Sequence, residues 1–175
     1  MRLIQILGIL FLAVVISSGY LFSLYGDWLW YSSVGYQDVF STVVFGSVSL
    51  AVLTGLGFLA FSFANLYIAR KRSRKKGKKH HNDGFLFALA ALLALMVGST
   101  FSNWEVWLKF LNPTGFLSSD PVFGMDIGFY VFTMPFYGFM LSYIGVTIVL
   151  TALLVLGSYA VSVGKRESPD TSGAE

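Results

Sequence analysis

Residues 39–69 read VFSTVVFGSVSLAVLTGLGFLAFSFANLYIA, and residues 70–79 read RKRSRKKGKK. The first stretch has no charged side chain; the second holds eight of the chain's twelve Lys and Arg. A helix rising 1.5 Å per residue needs about 20 residues to cross a hydrocarbon core of ~30 Å. Residues 39–69 exceed that length and end on a dense block of cations. That junction reads as a membrane-spanning helix running into a basic loop.

Working outward, three more stretches lack charge: Leu3–Gly26, Phe85–Phe101 and Ile127–Gly164. Apolar residues run all round each, without the polar stripe of an amphipathic surface helix. The expected spans are about 3–24, 41–67, 85–101 and 136–163, forming a membrane domain over 1–164. Residues 165–175, ending in ESPDTSGAE, read as a disordered tail. The first span competes with a signal peptide, since Arg2 and Ser17-Ser18-Gly19 imitate its flanks. The apolar run continues through Tyr20-Leu21-Phe22, so it reads as an uncleaved helix.

Composition agrees. Of 175 residues, 55% are hydrophobic and 12% charged, about half the charge of an ordinary soluble domain. The absence of cysteine excludes disulfides, thiolate metal sites and cysteine nucleophiles. Positive loops stay on the cytoplasmic side. The basic loop and the tail, which begins Lys165-Arg166, are therefore expected inside. Loop one (Tyr25–Asp38) and loop three (Ser102–Pro135) carry a net acidic charge and are expected outside. The fold class is all-α: four transmembrane helices in two hairpins, plus a short amphipathic surface helix in the second outer loop. The expected location is the plasma membrane of a prokaryote, with both termini cytoplasmic.

All four tryptophans fall in the outer loops: Trp28, Trp30, Trp104 and Trp107. Trp suits the headgroup level, where its ring meets hydrocarbon and its N–H meets water. Trp104, Trp107, Leu108 and Leu111 share one helical face, opposite Glu105, Lys109 and Asn112, and Asn112-Pro113 stops the helix. A ligand-binding aromatic cluster is the competing reading. Further along, Asp120-Pro121 starts a turn, and Asp126 adds a second carboxylate beside Phe123, Phe129 and Tyr130. Two carboxylates could bind a cation or act as an acid–base pair. More often they cap turns.

The run DPVFGMDIGFYVFTMPFY, Asp120–Tyr137, resembles the signature of a bacterial and archaeal membrane family known as uncharacterised protein family 0182. DWLWYSSVGYQDVF (Asp27–Phe40), Asn65–Arg70 and Trp104–Asn112 with Gly115-Phe116 resemble its neighbouring segments. The resemblance covers about residues 20–145. It implies a multi-pass membrane fold, of which this chain resembles the amino-terminal module, and it implies no reaction.

Other motifs carry less. The basic residues Arg70, Lys71, Arg72, Arg74, Lys75, Lys76, Lys78 and Lys79 fix topology and could hold anionic lipid headgroups. No aromatic residues interleave them, against nucleic acid. His80-His81 with Asp83 falls short of a metal ligand set, and no cofactor motif is present. No ionisable residue lies within a span, against a coupled transporter; Gln5 and Asn65 sit near helix ends. Gly55 and Gly57 are not a GxxxG pair and read as close-packing positions. Both halves read helix, Trp-rich acidic loop, helix, which hints at a parallel repeat. The leading expectation is a non-enzymatic assembly or interaction module whose partners are the bilayer and a second membrane or extracytoplasmic protein. A transporter or channel component, and a membrane enzyme acting on lipid or envelope substrate, are the alternatives.

Overall fold

The computed structural model describes residues 2–75 and 83–164. The tail and residues 76–82, which include Lys76, Lys78, Lys79, His80 and His81, lie outside the described residues. The described residues form five α-helices: α1 (Arg2–Ser33), α2 (Gln37–Lys75), α3 (Asp83–Thr100), α4 (Trp104–Leu111) and α5 (Met134–Gly164). A π-helical turn, Phe129–Thr133, precedes α5. No strand occurs among them. The chain divides into two compact units, Met1–Gly46 and Ser47–Glu175.

In the first unit, α1 runs to Ser33 rather than Leu24. No Pro interrupts Tyr25–Ser33, and the helix stops at Gly35, whose φ of 79° suits a residue without Cβ. The Gly35 N–H donates to Ser32 O (3.3 Å) and the Tyr36 N–H to Tyr31 O (2.9 Å). This is the Schellman pattern. The loop between α1 and α2 therefore shrinks to Val34–Tyr36, and Asp27, Trp28 and Trp30 ride on the end of α1. Their rings make a local cluster: Tyr25 stacks on Trp28, Trp30 meets Tyr31 edge-on, and Tyr31 meets Phe40. The helix α2 starts early, with Asp38 in its first turn, where a negative charge suits the helix dipole. It ends late because Arg70, Lys71, Arg72, Arg74 and Lys75 suit the carbonyl end of that dipole.

The second unit packs α2, α3 and α5 together. Phe58, Leu66, Ala90, Ala94, Val97, Phe101 and Leu154 form its buried core. Gly55 and Gly57 of α2 lie two residues apart, about 200° around the helix. Each admits a different neighbour. At Gly55 a Cβ would stand 2.9 Å from the Ala94 carbonyl oxygen, and at Gly98 it would stand 2.5 Å from the Ala51 carbonyl oxygen. The α2–α3 crossing thus brings backbone against backbone. At Gly57 a Cβ would meet the Tyr143 hydroxyl at 2.6 Å. That hydroxyl donates to Thr54 O at 2.8 Å, and Ser62 and Thr151 share a buried 2.8 Å hydrogen bond. Such interhelical bonds contribute about 0.6 kcal/mol each in a membrane, ~1.7 at most.

Among the described residues, two helical stretches, Gln37–Arg72 and Phe129–Tyr159, are long and apolar enough to cross a membrane. The 18 residues of α3 rise about 27 Å, just short of the ~30 Å core. Gly84–Thr100 qualifies only when joined to Trp104–Leu111, and that pair is bent by 56°.

Candidate functional site

The segment from Thr114 to Tyr137 contains the candidate motif Asp120, Pro121, Phe123, Asp126, Phe129 and Tyr130, and its backbone is organised by two carboxylates. At Asp126 the carboxylate accepts the Phe116 N–H (3.1 Å), the Leu117 N–H (3.1 Å) and the Gly128 N–H (2.6 Å). Such bonds favour the ionised form. The Phe116 N–H, followed by those of Gly128 and Leu117, holds the Asp126 carboxyl below its ordinary value despite partial desolvation. Gly128 has no Cβ because one would collide with the Thr114 carbonyl and with Asp126 itself.

Asp120 organises a second, smaller turn. It stands first in Asp120-Pro121-Val122-Phe123, where Asp caps and Pro pre-sets φ. Its carboxylate accepts the Phe123 N–H at 2.8 Å and, at 3.3 Å, the Tyr130 hydroxyl. Its carbonyl accepts the Gly124 N–H, its own N–H donates to Met125 O, and Ile127 N–H donates to Ser118 O. An isolated antiparallel bridge joins Ser119 to Asp126. The two carboxylates thus stand in one loop, each engaged with backbone donors.

The loop leads into the π-helical turn Phe129–Thr133, in which the Met134 N–H donates to Phe129 O. Pro135 follows at once. It has no N–H for the α-helical bond to Val131 O, so the first turn departs from α geometry. Phe129 and Tyr130 lie in this turn, their rings edge to face, and Phe116 stacks on Phe132 at 6.1 Å.

The four sequence-singled tryptophans separate. Trp28 and Trp30 belong to the first unit, and Trp104 and Trp107 to α4. Trp107 meets Phe136 edge-on at 5.1 Å, and Phe110 stacks on the same ring at 3.8 Å. The Trp107 indole N–H is buried without an acceptor. Phe110 and Phe136 were not among the sequence candidates, although Phe110 lies three residues after Trp107 and so shares its face. Leu108 and Leu111, also counted on the apolar face, are exposed. Glu105 and Lys109 pair at 3.7 Å on the helix surface.

Of the basic block, Arg70, Lys71, Arg72, Arg74 and Lys75 form the last turns of α2. Among the described residues, no three of His, Cys, Asp and Glu gather as a metal site would require.

Among the described residues these features define an all-helical chain with two to three helices suited to a bilayer. The uncharacterised protein family UPF0182 matches the chain over residues 3–173, and the chain belongs to that family. A UPF0182 protein of Pelotomaculum thermopropionicum is 36% identical over 178 residues, covering 88% of this chain and 19% of the relative. One from Methanospirillum hungatei is 36% identical, covering 91% and 18%, and one from Sulfurovum sp. is 34% identical, covering 87% and 19%. The chain spans about a fifth of the length of these relatives. No solved structure matches it.

Proposed function

We propose that the chain is a four-span, non-enzymatic membrane module of a prokaryotic plasma membrane, with both termini and the basic loop cytoplasmic. In this reading α1, α2, α3 and α5 cross the bilayer. The bend between α3 and α4 lays α4 along the outer surface, its Glu105–Lys109 pair toward water. Asp27–Asp38 and Trp104–Tyr130 face outward and serve assembly with a second membrane or extracytoplasmic protein. Arg70–Lys79 meets anionic headgroups on the inner side.

The observation that carries the non-enzymatic reading is the engagement of Asp126 by three backbone N–H groups. A general acid or base needs a proton that it can exchange near the working pH. A carboxylate held ionised by its own loop suits scaffolding better. Asp120, occupied by the Phe123 N–H and Tyr130, supports the same role. The test is Asp126→Asn and Asp120→Asn in membranes. As turn organisers, they should lose folded yield and protease resistance. Full folded yield in both variants would favour a chemical role instead, and solute flux in reconstituted liposomes would favour a transporter.

A further inference from the structure

The loop between α4 and α5 is built inside out. Its carboxylates, Asp120 and Asp126, are half-buried and turned toward backbone donors, while its apolar side chains are the exposed ones. Leu117 is 100% exposed, Val122 77% and Phe123 76%. In water this arrangement forgoes the stabilisation that burying three large apolar chains would bring. Leu117 also adopts a φ of 55°, a conformation that Gly or Asn takes more readily than a branched aliphatic chain. Fully exposed, it has no packing partner in the loop to justify that strain.

A second observation is independent of the first. The N–H groups of Phe116, Leu117, Asp120, Phe123, Gly124, Ile127, Gly128 and Phe129 all find acceptors within the loop. A water-exposed loop needs little of this internal pairing, because solvent satisfies its amides; those of Val122 and Met125, by contrast, have no acceptor within the loop. A non-aqueous surrounding makes unsatisfied amides costly. The loop also runs directly into Phe129–Tyr159, a stretch apolar enough to cross a membrane, which holds it within reach of that boundary.

We propose that the tip formed by Leu117, Val122 and Phe123 inserts into the outer leaflet, at the boundary of headgroups and acyl chains. The occupant of this surface is lipid. Irregular backbone exposed to lipid does not enter the hydrocarbon core, so the tip sits at the shallow depth of interfacial elements, about 5–10 Å. Asp120 and Asp126 make the insertion tolerable by closing the backbone around their own charge. The tip is then a third attachment to the outer leaflet, beside α4 and the start of α5. This inference rests on the outward placement of Trp104–Tyr130.

The chain has no cysteine, so single-cysteine labelling is direct. Leu117→Cys, Val122→Cys, Phe123→Cys and Ser119→Cys are each labelled with a spin probe in the purified chain, reconstituted in phosphatidylglycerol-containing liposomes. At 117, 122 and 123, oxygen dissolved in lipid should relax the probe more strongly than a water-soluble nickel chelate. At 119 the order should reverse. The nickel chelate prevailing at 117, 122 and 123 overturns the proposal and leaves the tip as a surface for soluble protein. Ser119→Cys also separates the two claims. If impermeant reagent fails to reach it from outside intact cells, the outward placement itself fails. Phe123→Leu with the label at 122 guards against misfolding: the oxygen preference should persist, and its loss with folding intact also overturns the proposal.

Discussion

Gly98→Ala is the perturbation whose effect the packing specifies most closely. The added Cβ would stand 2.5 Å from the Ala51 carbonyl oxygen and 3.4 Å from Gly55 Cα. Both obstacles are backbone, so no side chain can swing aside; α2 and α3 must separate. Overpacking of this kind costs about 1–3 kcal/mol. Alanine's greater helix propensity returns about 1 kcal/mol, leaving a net loss of roughly 0–2 kcal/mol. Gly145→Ala in α5 is the matched control, because a Cβ there meets nothing within 4 Å. It keeps the propensity gain without the clash, so the two variants should differ by about 1–3 kcal/mol. Gly98→Leu should cost more than Gly98→Ala. Reversible unfolding in bicelles, followed by steric trapping, measures the difference. Equal stability of Gly98→Ala and Gly145→Ala would refute the backbone contact between α2 and α3.

Four further outcomes follow from the same geometry. Gly57→Ala should displace the Tyr143 hydroxyl from Thr54 O, costing about 0.6 kcal/mol and no more than ~1.7; in a Tyr143→Phe background that cost should vanish in the same unfolding assay. A double-mutant cycle of Ser62→Ala with Thr151→Val should give a coupling of about 0.6 kcal/mol, and zero coupling would count against the shared hydrogen bond. Phe110→Ala should weaken α4 docking by about 0.5–1.5 kcal/mol beyond lost area, the worth of an aromatic pair, seen as faster hydrogen exchange confined to Trp104–Leu111. For Asp126, the folded carboxyl titrates below its ordinary value of 3.8, so its contribution is complete above that pH and is lost as pH falls through the folded value. Acid should therefore loosen residues 114–128, and Asp126→Asn should show the loosened state already at neutral pH, both read by limited proteolysis.

The sequence exposed the helices well because uncharged length is a coarse and durable signal. The stretches around residues 39–69 and 127–164 needed no knowledge of partners to be read as helices. Helix ends were less legible. Charge and aromatic content mark Asp27–Tyr31 as a loop, yet helix continuation there depends on where a C-cap falls. Gly35 was the available clue, and its φ is settled only by the hydrogen bonds of Ser32 and Tyr31. The basic residues after Ala69 likewise suggested a loop, while the helix dipole allows them to continue α2.

In the candidate site, Asp120-Pro121 was readable as a turn because that chemistry is local. The role of Asp126 was not, since its donors at Phe116 and Leu117 lie 10 and 9 residues upstream. Gly55 and Gly57 of α2 posed the same difficulty. Their spacing excludes a shared partner, but that one receives a backbone and the other a tyrosine hydroxyl is visible only once α3 and α5 are placed.

In the proposed topology the chain threads through a membrane, with its basic loop inside and its Asp-organised loop outside. Impermeant thiol labelling of intact cells tests this directly, comparing Gly77→Cys with Ser119→Cys in a background without other cysteines. Ser119→Cys should react from outside, and Gly77→Cys should react only after the membrane is permeabilised. Labelling of Gly77→Cys in intact cells would contradict that topology.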